Sequence, residues 1–220
     1  MLFRSLDEAA RSTASSLLNE VRNLADMVTS FLNFARPQPL ELDEVNLDEL
    51  IADCAGELAL VFKQAEVELV TGSAGILPAL ETGDASFARK EEGGQDARAP
   101  GLIRADERML RQALLNLVRN AAEAIPESQT VRRVEVSSST DRDNAGERWA
   151  VVEIKDTGEG IPAADLQRIF IPFFTTKAAG HGVGLALAHR VITQHGGTLT
   201  ATNGKDGGAV FSLRLPLDVR

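Results

Sequence analysis

The chain has 220 residues, a formal net charge of −9 and 44% hydrophobic residues, which suits one full core with an appendage. The acidic balance argues against a general nucleic-acid surface. Its one cysteine, Cys54, excludes an internal disulfide framework and fits a reducing compartment.

No run of about 18 apolar residues is present, so no membrane contact is expected of this stretch. The start "MLFRSLDEAARS" lacks the charged-then-apolar order of a signal peptide. A cytoplasmic location is expected, with the whole protein either free or anchored in an inner membrane.

Residues 5–36 predict one long helix. Leu6, Ala10, Ala14, Leu17, Val21, Leu24, Val28, Phe31 and Ala35 recur at three- and four-residue steps. A lone amphipathic helix about 45 Å long cannot bury its own stripe, so a homodimer through this helix is expected. Pro37 ends it, and residues 37–45 read as an extended linker. The remainder, 46–220, reads as a second domain.

Asn46 predicts an N-cap, with Glu49 reaching back, for a helix running to about Gln64. "EVELVTG" alternates as a strand. Residues 73–100 mix Gly, Ala and charge without a period and read as a disordered insertion in a hairpin loop. After "GLIRAD", Asp106 is expected to cap a helix reaching about Ile125. "RRVEVSSST" and "RWAVVEIKD" read as a hairpin, "PAADLQRIF" as a short helix with Pro162 in its first turn, and "VGLALAHRVITQHGG" as a helix stopped by Gly196 and Gly197. "TLTATN" and "GAVFSLRLP" close the chain as a second hairpin. The expected fold class is α+β. It is a two-layer α/β sandwich, with a mixed, mostly antiparallel sheet and helices on one face, preceded by the long N-terminal helix.

Within "LLNLVRNAAEAI", Asn116, Asn120 and Glu123 share one helix face. Leu110, Leu114, Leu117, Ala121 and Ile125 share the opposite one. The apolar stripe needs a core and the amide stripe needs a reason. A hard cation such as Mg²⁺ takes oxygen ligands and shares substrate phosphates, so a neutral amide oxygen suffices when the phosphates bring the charge. Asn120 and Asn116 fit that use, with Arg119 and Lys177 to neutralise the rest. Singly, the two asparagines read as well as the wet face of a helix.

In "DTGEGI", Asp156 ends a buried strand. Its carboxylate suits an exocyclic amine, and Gly158 and Gly160 let backbone approach a flat ligand. Alone, D-x-G is also an ordinary turn. In "FIPFFTTKAAGHGVGLALA", Phe170, Phe173 and Phe174 read as core or as a lid. Thr176, Lys177 and a ladder of Gly180, Gly182 and Gly184 then open a helix. The free N–H groups and dipole of a helix start favour phosphate. The same segment alone reads equally as a surface loop with a lysine. The spacing is neither a G-x-G-x-x-G fingerprint nor a P-loop.

Taken in order, these stretches resemble the catalytic ATP-binding domain of two-component sensor histidine kinases, in the wider family shared with gyrase, Hsp90 and MutL. "NLVRNAAEA" is similar to its N box, "DTGEGI" to its G1 box, "FIPFFTTK" to its F box and "GHGVGLALA" to its G2 box. The likeness covers roughly 46–217 without the 73–100 insertion, and is nearest to the nitrogen-regulation type. "LADMVTSFLNFARPQPLEL" further resembles the second helix of the dimerisation and phosphoacceptor hairpin. The resemblance implies that ATP and Mg²⁺ are bound. Asn120 would ligate the metal and Asn116 would line the phosphate site. Asp156 would bind the adenine amine in a pocket shaped by Gly158 and Gly160. Thr176 and Lys177 would approach the γ-phosphate. Gly180, Gly182, Val183, Gly184 and Leu185 would complete the phosphate loop, and Arg119 would add charge.

The hydrolysing branch of that family carries a glutamate base four residues before the metal asparagine. Here that position is Asn116, which favours transfer to a protein group over hydrolysis. The implied partner is the receiver domain of a response regulator. One feature departs from the pattern. The histidines are His181, His189 and His195, none within 1–36. The acceptor is therefore expected on another polypeptide, either because the chain was cut after the acceptor helix or because the protein lost it. This chain alone is expected not to phosphorylate itself. The alternative function is a non-catalytic nucleotide-binding switch or dimerisation module.

Overall fold

The computed structural model describes residues 39–73, 102–177 and 182–217, together with Val21. Of the expected 5–36 helix only Val21 is described, helical and exposed; the rest of that helix and most of the 73–100 stretch lie outside the described residues.

The elements run β1 (Asp43–Asn46), α1 (Leu47–Gln64), β2 (Glu68–Ser73), β3 (Leu102–Ala105), α2 (Glu107–Glu123), β4 (Arg133–Arg142), β5 (Arg148–Asp156), α3 (Gly184–Gln194), β6 (Thr198–Asn203) and β7 (Ala209–Pro216). Five strands form one sheet in the order β2-β4-β5-β7-β6. β2 pairs parallel with β4, and every other neighbour in this sheet is antiparallel. Helices α1, α2 and α3 pack over it, so the sheet is mixed, mostly antiparallel and helix-covered as expected.

Three local readings change. First, β2 and β3 are not two arms of a hairpin. β2 joins the main sheet through β4, whereas β3 pairs antiparallel with β1 in a separate two-stranded sheet. Alternation identifies a strand but not its partner. Second, residues 43–45, read as linker, are sheet: Val45 opposes Ile103 and both are buried. Third, "PAADLQRIF" is a chain of tight turns rather than a helix. Asp165 N–H donates to Pro162 O (2.8 Å), Arg168 N–H to Asp165 O (2.7 Å) and Ile171 N–H to Arg168 O (2.9 Å). These three-residue steps bury Ile169 and lay the Arg168 guanidinium over the Phe174 ring at 4.4 Å. The tertiary contacts override a weak local propensity.

The caps follow the sequence. The Asn46 side chain accepts from the N–H groups of Asp48 and Glu49, and Asp106 Oδ1 accepts from Met109 N–H at 3.0 Å. The apolar face of α2 is buried throughout, from Leu110 and Leu114 through Leu117 and Ala121 to Ile125. On its edge, Arg111 reaches Asp53 and Glu57 of α1 as well as Glu107, at 2.7–3.0 Å. These carboxylates raise the Arg111 pKa and tie α1 to α2. Burial pushes the Cys54 thiol up to about 11, so it is an unreactive core group at neutral pH.

α2 and α3, which face each other across the site described below, are pinned by a buried histidine. His195 caps the C-terminus of α3. Its Nε2 accepts from Asp106 N–H (3.0 Å) and its Nδ1 lies 2.7 Å from Val191 O, which places the proton on Nδ1. Asp106 Oδ2 also accepts from Glu41 N–H at 3.3 Å, so the segment preceding β1 meets the same node. His195→Ala strands a buried N–H and is expected to cost about 1–3 kcal/mol of unfolding free energy by denaturant titration. A change within a few tenths of a kcal/mol would show that this lock contributes nothing.

Candidate nucleotide site

A cleft of about 390 Å³ opens between the amide face of α2, the ends of β5 and β7, and the N-terminus of α3. That is the size of a small-molecule site. At its inner end, β5 alternates and buries Ala150, Val152 and Ile154; the same period sends the next core-facing side chain, Asp156, inward, 1% exposed. Asp156 Oδ1 accepts from Gly158 N–H (2.8 Å) and Ala209 N–H (3.1 Å). Its Oδ2 is buried with no hydrogen-bond partner among the described residues. Burial raises the Asp156 pKa, and the two backbone donors only partly offset this. A buried unpaired carboxylate oxygen at a cleft wall is an acceptor waiting for a donor. Around it, Ile161, Ile169, Ala209 and Phe211 supply apolar wall.

Backbone glycines hold this end in shape. Gly160 lines the cleft, whereas Gly158 is not part of its wall; it stands behind Asp156 and supplies the N–H that orients the carboxylate. Gly208 (φ +70) leaves no room for a side chain, since a Cβ there would fall 1.9 Å from Asp156 O. A further contact escaped the sequence reading. The Asn203 side chain accepts from Ile161 N–H (2.7 Å) and donates to Ile161 O (2.8 Å), pinning the "DTGEGI" loop to β6 across 42 residues. The asparagine at the end of "TLTATN" was the only signal, and nothing local names its partner.

At the other end, Asn116 and Asn120 line the cleft together, with Arg119 and Glu123 beside them. Val183 precedes α3 without any side-chain cap, and the first turn of α3 has no acidic residue. Among the described residues no side chain caps this helix start, and Gly182, Val183, Gly184 and Leu185 line the cleft. Gly182 (φ +66) accepts from Phe173 N–H at 2.9 Å, and Phe173 itself is left-handed (φ 67), so the "FIPFF" turn and the start of α3 are locked backbone to backbone. Phe174, Thr175, Thr176 and Lys177 form the remaining wall, while Phe170 stacks on His189 with ring centroids 5.0 Å apart. The Lys177 ammonium lies 2.7 Å from Asn120 Oδ1 and 2.9 Å from Glu123 Oε2. Gly180 and His181 lie outside the described residues.

A cleft whose wall holds a buried carboxylate acceptor, amide oxygens, cations and the start of a helix suits a nucleoside polyphosphate. Residues 105–219, just over half of the chain, match the family described as histidine kinase-, DNA gyrase B- and HSP90-like ATPase. The chain belongs to that family. Within it, the sensor histidine kinase ZraS of Salmonella typhimurium is 31% identical over 207 residues, which is 94% of this chain and 38% of ZraS. Sensor protein FixL of Bradyrhizobium diazoefficiens is 41% identical over 115 residues, 52% of this chain and 22% of FixL. The chain thus spans well under half the length of these relatives. Among solved structures, the nucleotide-free catalytic domain of histidine kinase ThkA matches with a TM-score of 0.57 at 25% identity, covering 80% of this chain and 96% of that one. Full-length ShkA in complex with AMPPNP has the same fold at a TM-score of 0.68, 24% identity, over 96% of this chain and 39% of ShkA.

The raised pKa of Asp156 has a stability consequence. Ionising this group is harder in the folded than in the unfolded protein, so its charge destabilises the fold once pH rises above the ordinary carboxylate range; below that range both states are protonated and the penalty vanishes. Asp156→Asn keeps the acceptor for Gly158 and Ala209 and removes the charge. Its melting temperature is expected to gain on the wild type as pH rises through and above that range. A constant difference across pH would show that the carboxylate carries no such penalty.

Proposed function

We propose that this chain is the ATP-binding, phosphoryl-transferring module of a two-component sensor histidine kinase, acting on a histidine supplied by another polypeptide. The observation that carries it is the unpaired Oδ2 of Asp156, a residue on the wall of the same cleft that the start of α3 lines. Asp156 Oδ2 accepts the adenine amine, and the apolar wall holds the base. Backbone N–H groups at Gly182, Val183 and Gly184 receive phosphate oxygens. Arg119, Thr176 and Lys177 meet the remaining phosphate charge.

The residues also fit a divalent cation: a lysine ammonium already rests on Asn120 Oδ1, an oxygen that accepts a positive charge. Asn120 would hold Mg²⁺, which when bound neutralises phosphate charge. Asn116 is close to Gly184 and lines the phosphate end. As an amide it cannot deprotonate a water, which supports transfer to an imidazole over hydrolysis. Catalysis then rests on positioning and on fixed positive charge. His189 and His195 are packed against Phe170 and Asp106 respectively, so neither suits the acceptor role.

By this reading the chain pairs with a second copy through residues 5–36, and the full protein passes phosphate to the receiver domain of a response regulator. Among the described residues no helix is long and apolar enough to cross a membrane; we place this module in the cytoplasm.

Labelled ATP, mixed with this chain and a separate two-helix hairpin bearing the acceptor histidine, is expected to label that histidine. Asn120→Ala is expected to lower the rate by about a hundredfold. Nucleotide binding without any label on the hairpin would contradict transfer and favour a non-catalytic switch.

A further inference from the structure

Three oxygens converge on one point at the phosphate end of the cleft. The Lys177 Nζ occupies it, 2.7 Å from Asn120 Oδ1, 2.9 Å from Glu123 Oε2 and 3.5 Å from the main-chain oxygen of Asn120. Asn120 Oδ1 is also the atom that the function proposed above gives to the divalent cation. Two cations drawn to one amide oxygen and one carboxylate repel each other at short range. They cannot both hold the cradle.

We propose that Lys177 and the divalent cation compete for a single cradle formed by Asn120 and Glu123, and that Glu123 sets the balance between them. Without metal, Glu123 holds the Lys177 ammonium on the cradle and away from the nucleotide phosphates. With metal, the Glu123 carboxylate becomes a counter-charge to the incoming cation, and Lys177 is released toward the phosphates. The exchange moves one long side chain. Lys177 and Glu123 side chains are 35% and 53% exposed, so no core contact has to break. The ion pair they form is weak enough to be exchanged, as part-exposed pairs are. Arg119, on the same cleft wall, keeps a positive charge at the phosphates in either state. Sequence spacing alone placed Glu123 on the amide face; only the fold brings it to Lys177, 54 residues away.

This inference rests on the nucleotide reading of the cleft, and the test separates the two. AMPPNP affinity is measured by calorimetry in EDTA and over a range of Mg²⁺, for the wild type, Glu123→Gln and Lys177→Met, with thermal melts to show that each variant folds. Removing a negative charge by itself favours the more highly charged metal-free nucleotide, so the effect of Glu123→Gln is also read in the Lys177→Met background. The competition predicts that in Glu123→Gln the metal-free affinity rises while the gain conferred by Mg²⁺ shrinks by about fivefold, the upper range for a part-exposed ion pair, and that this shrinkage is largely lost when Lys177 is already Met. In Lys177→Met the Mg²⁺ concentration giving half the full effect falls, because the rival cation is gone. An unchanged Mg²⁺ gain in Glu123→Gln, or a half-effect concentration that rises or stays fixed in Lys177→Met, overturns the proposal. AMPPNP failing to bind the wild type in either condition would instead overturn the nucleotide reading beneath it.

Discussion

One buried carboxylate organises this molecule. Asp156 occupies the position where the two-residue period of β5 demands another core side chain, after Ala150, Val152 and Ile154. Burying half of a carboxylate unpaired costs free energy in the absence of a ligand. The surrounding backbone is shaped to hold it there regardless. Two N–H groups fix one oxygen, Gly208 lets β7 press against the strand end, and Asn203 clamps the loop that follows. The unmet hydrogen bond is localised at one oxygen of a residue that lines the cleft. A donor that arrives there recovers what folding left unsatisfied.

The phosphate end is built on different terms. Its fixed part is the packing of α2 against α3, locked at the far ends by His195 on Asp106 and supported by the buried stripe of α2. That packing brings Asn116 beside Gly184, so the amide row and the open helix start address one space. Its adjustable part is a single long side chain, Lys177, resting on oxygens that suit a metal. Under the proposed function, rigid recognition of the base would sit beside a phosphate end whose charges can be rearranged, which suits a site that must hold a nucleotide firmly while its terminal phosphate reacts.

What was legible in the sequence is what depends on local spacing. The face shared by Asn116, Asn120 and Glu123 follows from helical period, the caps at Asn46 and Asp106 from side-chain chemistry, and the place of Asp156 at the end of a buried strand from strand alternation. What was not legible depends on contacts between distant residues. The pairing of β1 with β3, the parallel placement of β2, the Asn203 clamp and the meeting of Lys177 with Glu123 all join segments with no shared local pattern. The turns at 162–171 failed as a helix because burial of Ile169 and the Arg168–Phe174 stack outweigh a proline and two alanines that favour a first helical turn. The family resemblance supplied roles for residues; it did not supply the partners that position them.

In the proposed function, the orientation of a nucleotide in the cleft turns on Asp156 Oδ2 accepting a hydrogen bond from an exocyclic amine. Comparing ATP with ITP tests this directly, since the two differ by an amine donor against a carbonyl acceptor at the same ring position. Competition binding is expected to favour ATP by about tenfold or more, because the carbonyl would face the carboxylate oxygen and leave it unpaired. Equal affinity for the two nucleotides would contradict the role of this oxygen and, with it, the placement of base and phosphates at opposite ends of the cleft.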